Sequence, residues 1–179
     1  MYLIIMKQER GCLQVYTGTG KGKSTAAFGL ALRSAGAGKK VFIAQFVKGM
    51  DYSELKSISC LKKWIFLKQY GRKGYIVEKP LPEDRRLAKK GLAEAALAMK
   101  KGRYDLVILD EACIALFFKL YSVSDLLSAI KGRAFHVEVV VTGRYAPPLL
   151  IKTADLVTEM KEIKHYYNQG INARVGIEK

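Results

Sequence analysis

Residues 13–25 read Leu13-Gln14-Val15-Tyr16-Thr17-Gly18-Thr19-Gly20-Lys21-Gly22-Lys23-Ser24-Thr25. A short strand-like run leads into three alternating glycines, and an Ala- and Leu-rich stretch of helical spacing follows from Lys23 to about Ala35. Strand, glycine-rich turn and helix in that order is the context of a phosphate-binding P-loop. Glycines let backbone N–H groups converge on phosphate oxygens, and the helix start adds partial positive charge. Gly18, Thr19, Gly20, Lys21, Gly22, Lys23, Ser24 and Thr25 are therefore the expected polyphosphate-binding residues, with Lys23 reaching the phosphates and the Ser24 hydroxyl offered to Mg2+. Thr17 stands where the general motif has its first glycine.

Outward from the loop, apolar runs alternate with helical patterns. Strands are expected at Leu13 to Tyr16, Val41 to Phe46, Trp64 to Leu67, Leu106 to Leu109, Val137 to Val141 and around Leu156 to Thr158. Helices are expected from Glu83 to Lys101 and over Ser124 to Ile130, with Ser122 or Ser124 as cap. Residues 47–59 and 69–82 read as loops. The pattern predicts an α/β, P-loop NTPase (RecA-like) three-layer fold with a mainly parallel central sheet, and the length of 179 residues suits a single domain over 1–179.

Leu106-Val107-Ile108-Leu109 ends in Asp110-Glu111. Carboxylates at the end of a buried strand open toward the loops where ligands bind, and an acid there commonly supports a polyphosphate-bound magnesium ion. A surface acid pair is the competing reading. Arg144, in Thr142-Gly143-Arg144 after another strand, is a candidate for phosphate or ribose, with a salt bridge as the alternative.

The chain carries a net charge of +15, and between Lys62 and Arg103 13 Lys and Arg face four acids, so +9 of the surplus is regional. This raises nucleic acid, an anionic surface or a polyanionic small molecule as partners. The three cysteines, Cys12, Cys60 and Cys113, form no C-x-x-C pair, which argues against a disulfide framework or zinc site; Cys12 and Cys113 read as core thiols and Trp64 as a core residue. No apolar run reaches the ~20 residues of a membrane helix, and a cytoplasmic protein is expected.

Further segments carry a resemblance. Gln14 to Ala27, Gln45-Phe46-Val47-Lys48-Gly49, Leu109-Asp110-Glu111, Val141-Thr142-Gly143-Arg144-Tyr145-Ala146-Pro147, Ala154 to Met160, Lys164-His165 and Gly170 to Glu178 together resemble the P-loop type of cob(I)alamin (corrinoid) adenosyltransferase. That family's phosphate loop itself begins Thr-Gly-x-Gly-Lys-Gly-Lys, which accounts for Thr17.

The resemblance implies transfer of the 5′-deoxyadenosyl group of ATP to the cobalt(I) of a corrinoid (cobalamin, cobinamide or cobyrinic acid a,c-diamide), releasing triphosphate, in adenosylcobalamin synthesis or salvage. It implies Lys21 and Lys23 as catalytic groups stabilising the departing triphosphate, and Mg2+ held by Ser24 and Glu111 with Asp110 assisting or orienting; Arg144, for a phosphate or the ribose, completes the catalytic candidates. It also implies an ATP phosphate chain reversed relative to most P-loop proteins and a homodimer. Family members shield cobalt with aromatic residues in a loop. Residues 69–77 here lack the family's Phe-x-Trp pair, leaving Tyr70 and Tyr75 as the candidates, with ordinary loop packing as the other reading. The basic surface suits an acidic flavoprotein electron donor as well as the corrinoid's phosphate. The competing function is a RecA-like ATPase that binds nucleic acid, but no interleaving of aromatic and basic residues supports a single-strand module.

Overall fold

The computed structural model describes residues 9–178. The elements are β1 (Leu13–Thr17), α1 (Lys23–Gly36), β2 (Val41–Phe46), α2 (Ser53–Ser59), β3 (Ile65–Tyr70), α3 (Pro82–Lys101), β4 (Leu106–Asp110), α4 (Ala112–Phe117), α5 (Val123–Lys131), β5 (Glu138–Thr142), α6 (Pro148–Thr153), β6 (Leu156–Glu159) and a 3-10 turn (Tyr166–Gln169). The strands form one sheet in the order β3-β2-β4-β5-β1-β6, and every neighbouring pair is parallel.

Alternation along the strands builds a core on each face. Phe42, Ala44 and Phe46 of β2 and Val107 and Leu109 of β4 pack with residues of α3 to α6. Val41, Ile43, Leu106 and Ile108 point the other way and meet Ala27, Ala31 and Ala35 of α1. Those alanines recur every four residues, so they line one stripe, and their small side chains let the helix lie close to the sheet. Two buried sheet faces explain why the strands read as continuous apolar runs instead of alternating ones.

Helix ends follow their sequence signals. The Ser122 Oγ accepts from Asp125 N at 3.0 Å while Asp125 Oδ2 accepts from Ser122 N at 2.9 Å, a capping box that starts α5. Pro82 opens α3, and Asp84 Oδ2 accepts from Leu81 N at 2.8 Å. The helix buries Leu92, Ala95 and Met99 and exposes Arg86, Lys89, Lys90 and Lys100. These four cations therefore lie on a solvated helix face.

Four expectations need correction. Residues 47–59, expected as loop, contain α2, which buries no residue completely. β3 starts and ends later than expected, because its polar Lys68 and Gln69 continue the parallel register opposite Ala44 and Gln45 of β2. Trp64 is half-buried, with Lys63 Nζ 5.0 Å from its ring centroid. Cys12 is also half-buried, whereas Cys113 is in the core. Among the described residues, no helix is long and apolar enough to cross a membrane.

Candidate active site

The loop between β1 and α1 ends on Gly22, whose φ of 115° suits only glycine comfortably. No side chain caps α1, and its first turn holds no acid. The first N–H groups of a 14-residue helix thus lack a side-chain acceptor, the arrangement that receives an anion. Gly18 shares a positive φ, 98°, and at both Gly18 and Gly20 space is also short: a Cβ would lie 2.4 Å and 2.7 Å from the Met160 carbonyl oxygen. That carbonyl accepts from Gly20 N at 2.6 Å, so the segment after β6 braces the loop. Thr19 and Thr25 are exposed.

Lys23 folds back across the loop, donating to Gly18 O at 2.8 Å and Gly20 O at 2.7 Å. Burial pulls its pKa down; the Glu111 charge opposes this and Arg144 adds to it. A phosphate in the loop would reverse that imbalance by supplying the missing negative charge.

Asp110 closes β4 and is wholly buried. Ser24 Oγ donates to its Oδ1 at 2.7 Å and Thr142 Oγ1 does so at 2.8 Å. Its Oδ2 accepts from Lys48 Nζ at 2.9 Å and from Gln45 Nε2 at 3.2 Å. Burial works to raise this carboxyl, but Lys48 and the surrounding donors outweigh it and hold the carboxyl below the ordinary aspartate range. Four donors occupy the oxygens of one carboxylate. Asp110 is therefore a hub that fixes Ser24.

Glu111 differs from its neighbour. It caps α4 in the left-handed region, φ 57°, and its own N–H donates to Thr142 Oγ1 at 2.9 Å. Its carboxylate forms no hydrogen bond among the described residues. Burial and then the Asp110 charge raise its pKa, against Lys48, Lys23 and Arg144. Val47 (φ 51°) and Tyr145 (φ 62°) share this backbone conformation close after β2 and β5. Strained residues thus gather at the carboxyl ends of the strands, where functional loops sit.

Arg144 is exposed and makes no ion pair among the described residues, so the salt-bridge alternative is not realised there. Its charge acts on both Lys23 and Glu111. Lys21 is tied to the far end of the chain, donating to Glu178 Oε1 at 2.8 Å and to the Tyr166 hydroxyl at 2.9 Å. Cys113 lies just below, but burial pushes its thiol up to about 12, which marks a packing residue and not a nucleophile.

The two aromatic candidates separate. Tyr70, expected in a loop facing the corrinoid, instead closes β3 and is 2% exposed. Its hydroxyl donates to Glu94 Oε2 at 2.7 Å, and a Cβ on Gly91 would come within 2.5 Å of its ring. A mid-helix glycine makes room for it, and it belongs to the core. Tyr75 remains in the loop and is 69% exposed. It lies near Tyr52, whose ring centroid lies 5.3 Å from Lys48 Nζ.

Gln45, Lys48 and Thr142 had no individual role in the sequence reading. The available signals were a glutamine in an otherwise apolar strand and polar residues just past two strand ends. Only the parallel register, which sets Gln45 opposite Asp110, brings them together.

Comparison with known proteins agrees with this geometry. The family model described as ATP:corrinoid adenosyltransferase BtuR/CobO/CobP matches residues 9–178. The corrinoid adenosyltransferase of Pseudomonas aeruginosa is 35% identical, over 96% of this chain and 85% of that protein. Corrinoid adenosyltransferase CobA of Salmonella typhimurium is 29% identical, over 96% of this chain and 87% of that protein. The uncapped glycine-rich loop, the braced Asp110 with Glu111 beside it at the end of β4 and a match across almost all of the sequence agree, and the chain belongs to the ATP:corrinoid adenosyltransferase family.

Proposed function

We propose that this chain binds ATP with its triphosphate in the loop Gly18 to Thr25 and presents the ribose C5′ to cobalt(I) of a reduced corrinoid. The cobalt electron pair forms the Co–C5′ bond as the C5′–O bond breaks, and triphosphate leaves whole. ATP-dependent adenosylation of corrinoids is the activity of the family. The observation that carries the residue-level reading is the pairing of a helix start without cap or acid with a buried Lys23 beside it.

Cobalt(I) is itself a strong nucleophile, so the protein's work is orientation and stabilisation of charge on the leaving group. The loop amides and Lys23 surround that charge, and Lys21 and Arg144 extend the positive field at its edges. Mg2+ fits the donor set. Ser24 and Glu111 would hold it through oxygen atoms, while Asp110, its own oxygens already engaged, keeps Ser24 in place. When bound, the ion would neutralise phosphate charge, with Ser24 and Glu111 as its protein ligands. Tyr75, exposed beside Tyr52, is the aromatic we assign to the corrinoid. A single domain acting in the cytoplasm as a homodimer, with an acidic flavoprotein supplying electrons, completes the reading.

The test is anaerobic. Chemically reduced corrinoid, ATP and Mg2+ should give the spectrum of a cobalt–carbon bond with one triphosphate per adenosyl group, and Lys23→Ala should abolish both while leaving the fold intact. Orthophosphate or pyrophosphate as first product, with unchanged corrinoid, would sink the proposal.

A further inference from the structure

Lys21 lies on an exposed turn, and a lysine there has many rotamers and no reason of its own to face a phosphate. The structure supplies the reason from the other end of the chain. Glu178 is held by its own segment: Arg174 donates to it from its backbone N at 2.8 Å, from Nε at 3.3 Å and from its terminal nitrogen at 3.2 Å. The Tyr166 hydroxyl donates to the same carboxylate. These contacts come from residues 166–178 alone, so the carboxylate is positioned whether or not Lys21 arrives.

Lys21 then docks onto this prepared acceptor, at 2.8 Å from Glu178 Oε1 and 2.9 Å from Tyr166 Oη. Its ammonium and the Arg174 guanidinium lie 5.6 Å and 5.0 Å from the Tyr166 ring centroid. An ammonium has three N–H donors. Two are directed at the C-terminal segment, which leaves the third for a ligand of the loop. One carboxylate between two cations leaves the group with a net positive charge, so the ion pair does not cancel the attraction for an anion.

We propose that Glu178, seated by Arg174 and Tyr166, is a positioning residue that fixes Lys21 at the edge of the phosphate loop so that its remaining N–H meets the triphosphate. The inference rests on the reading of that loop as a triphosphate site. It assigns residues 166–178 a part in binding the leaving group, through Lys21 and without contact of their own.

The test is a double-mutant cycle of Lys21→Ala and Glu178→Gln in the full chain. It is read by calorimetric affinity for inorganic tripolyphosphate and by kcat and KM. Glu178→Gln should weaken tripolyphosphate binding about tenfold, the scale of a lost charge-assisted hydrogen bond. It should lower kcat by a similar factor and leave KM for the corrinoid unchanged. Glu178→Asp should recover part of the loss, and Tyr166→Phe should show a smaller one. In the Lys21→Ala background Glu178→Gln should change nothing further, because its target is gone. Equal losses with and without Lys21 would reduce Glu178 to a structural residue and overturn the inference. Tighter tripolyphosphate binding by Glu178→Gln would make the carboxylate a competitor for Lys21 and overturn it as well. Failure of the unaltered protein to bind tripolyphosphate is a separate result, which refutes the triphosphate site itself.

Discussion

Replacing Lys48 by Met removes the cation from a buried pair while keeping much of its aliphatic stem. Lys48 and Asp110 are 2.9 Å apart, with side chains 16% and 0% exposed. Taking away one partner of such a pair typically costs about 3–5 kcal/mol, since the other charge stays buried and uncompensated. Asp110 would keep three neutral donors, Ser24, Thr142 and Gln45, which places the expected cost at the low end, about 3 kcal/mol. For a domain of this size each kcal/mol moves Tm by about 2–4 °C, so a fall of about 6–12 °C is expected.

The pH dependence distinguishes a lost charge pair from lost packing. In the unaltered protein the Asp110 carboxyl sits below its ordinary 3.8. Its stabilisation is therefore complete above the unfolded value and is lost only as pH falls through the lower, folded one. Without Lys48, burial dominates and lifts the carboxyl, so the native state takes up the proton at higher pH and the penalty shrinks as pH falls. Urea unfolding at about pH 7 and about pH 4 should show the gap between variant and parent narrowing toward the acid side. Lys48→Arg should lose far less. A loss below about 1 kcal/mol, or a gap independent of pH, would refute the role of Lys48 as counter-ion of the hub.

Other substitutions separate stability from function. Glu111→Gln removes a half-buried charge beside Asp110, and in the absence of ligand it should raise Tm, by a gain on the order of 1 kcal/mol, while abolishing Mg2+-dependent turnover; calorimetry and the adenosylation assay check the two halves. Gly91→Ala forces a methyl group to within 2.5 Å of the Tyr70 ring, and a destabilisation of about 1–3 kcal/mol in urea unfolding is expected from overpacking. Tyr75→Ala should leave stability within about 0.5 kcal/mol of the parent, because the side chain is exposed. It should raise KM for the corrinoid with KM for ATP unchanged, and no change in either constant would remove Tyr75 from the site.

How much of this was legible beforehand depends on whether the chemistry is contiguous. The loop between β1 and α1 concentrates glycines, Lys23 and Ser24 within a few residues, so sequence order alone exposes it. The acid pair was legible for a related reason, since two carboxylates after four apolar residues mark a strand end. The hub around Asp110 was not, because Gln45, Lys48 and Thr142 come from the ends of β2 and β5 and meet only through parallel register. Tyr70 was misread because Lys68 and Gln69 look like loop, whereas their backbones pair fully with β2. The clue lay in α3, where Gly91 has no local purpose until the ring is seen against it. The link from Lys21 to Glu178 spans 157 positions, and no local pattern announces a contact at that distance.

In the proposed reaction the bond broken lies between C5′ and oxygen, not between oxygen and phosphorus. ATP labelled with 18O at the 5′ bridging oxygen, turned over anaerobically with reduced corrinoid and analysed by mass spectrometry, follows that bond directly. The label should appear entirely in the triphosphate, with none in the adenosylated corrinoid. Label retained on a nucleoside or nucleotide product would place the reaction at phosphorus and rule out transfer from C5′.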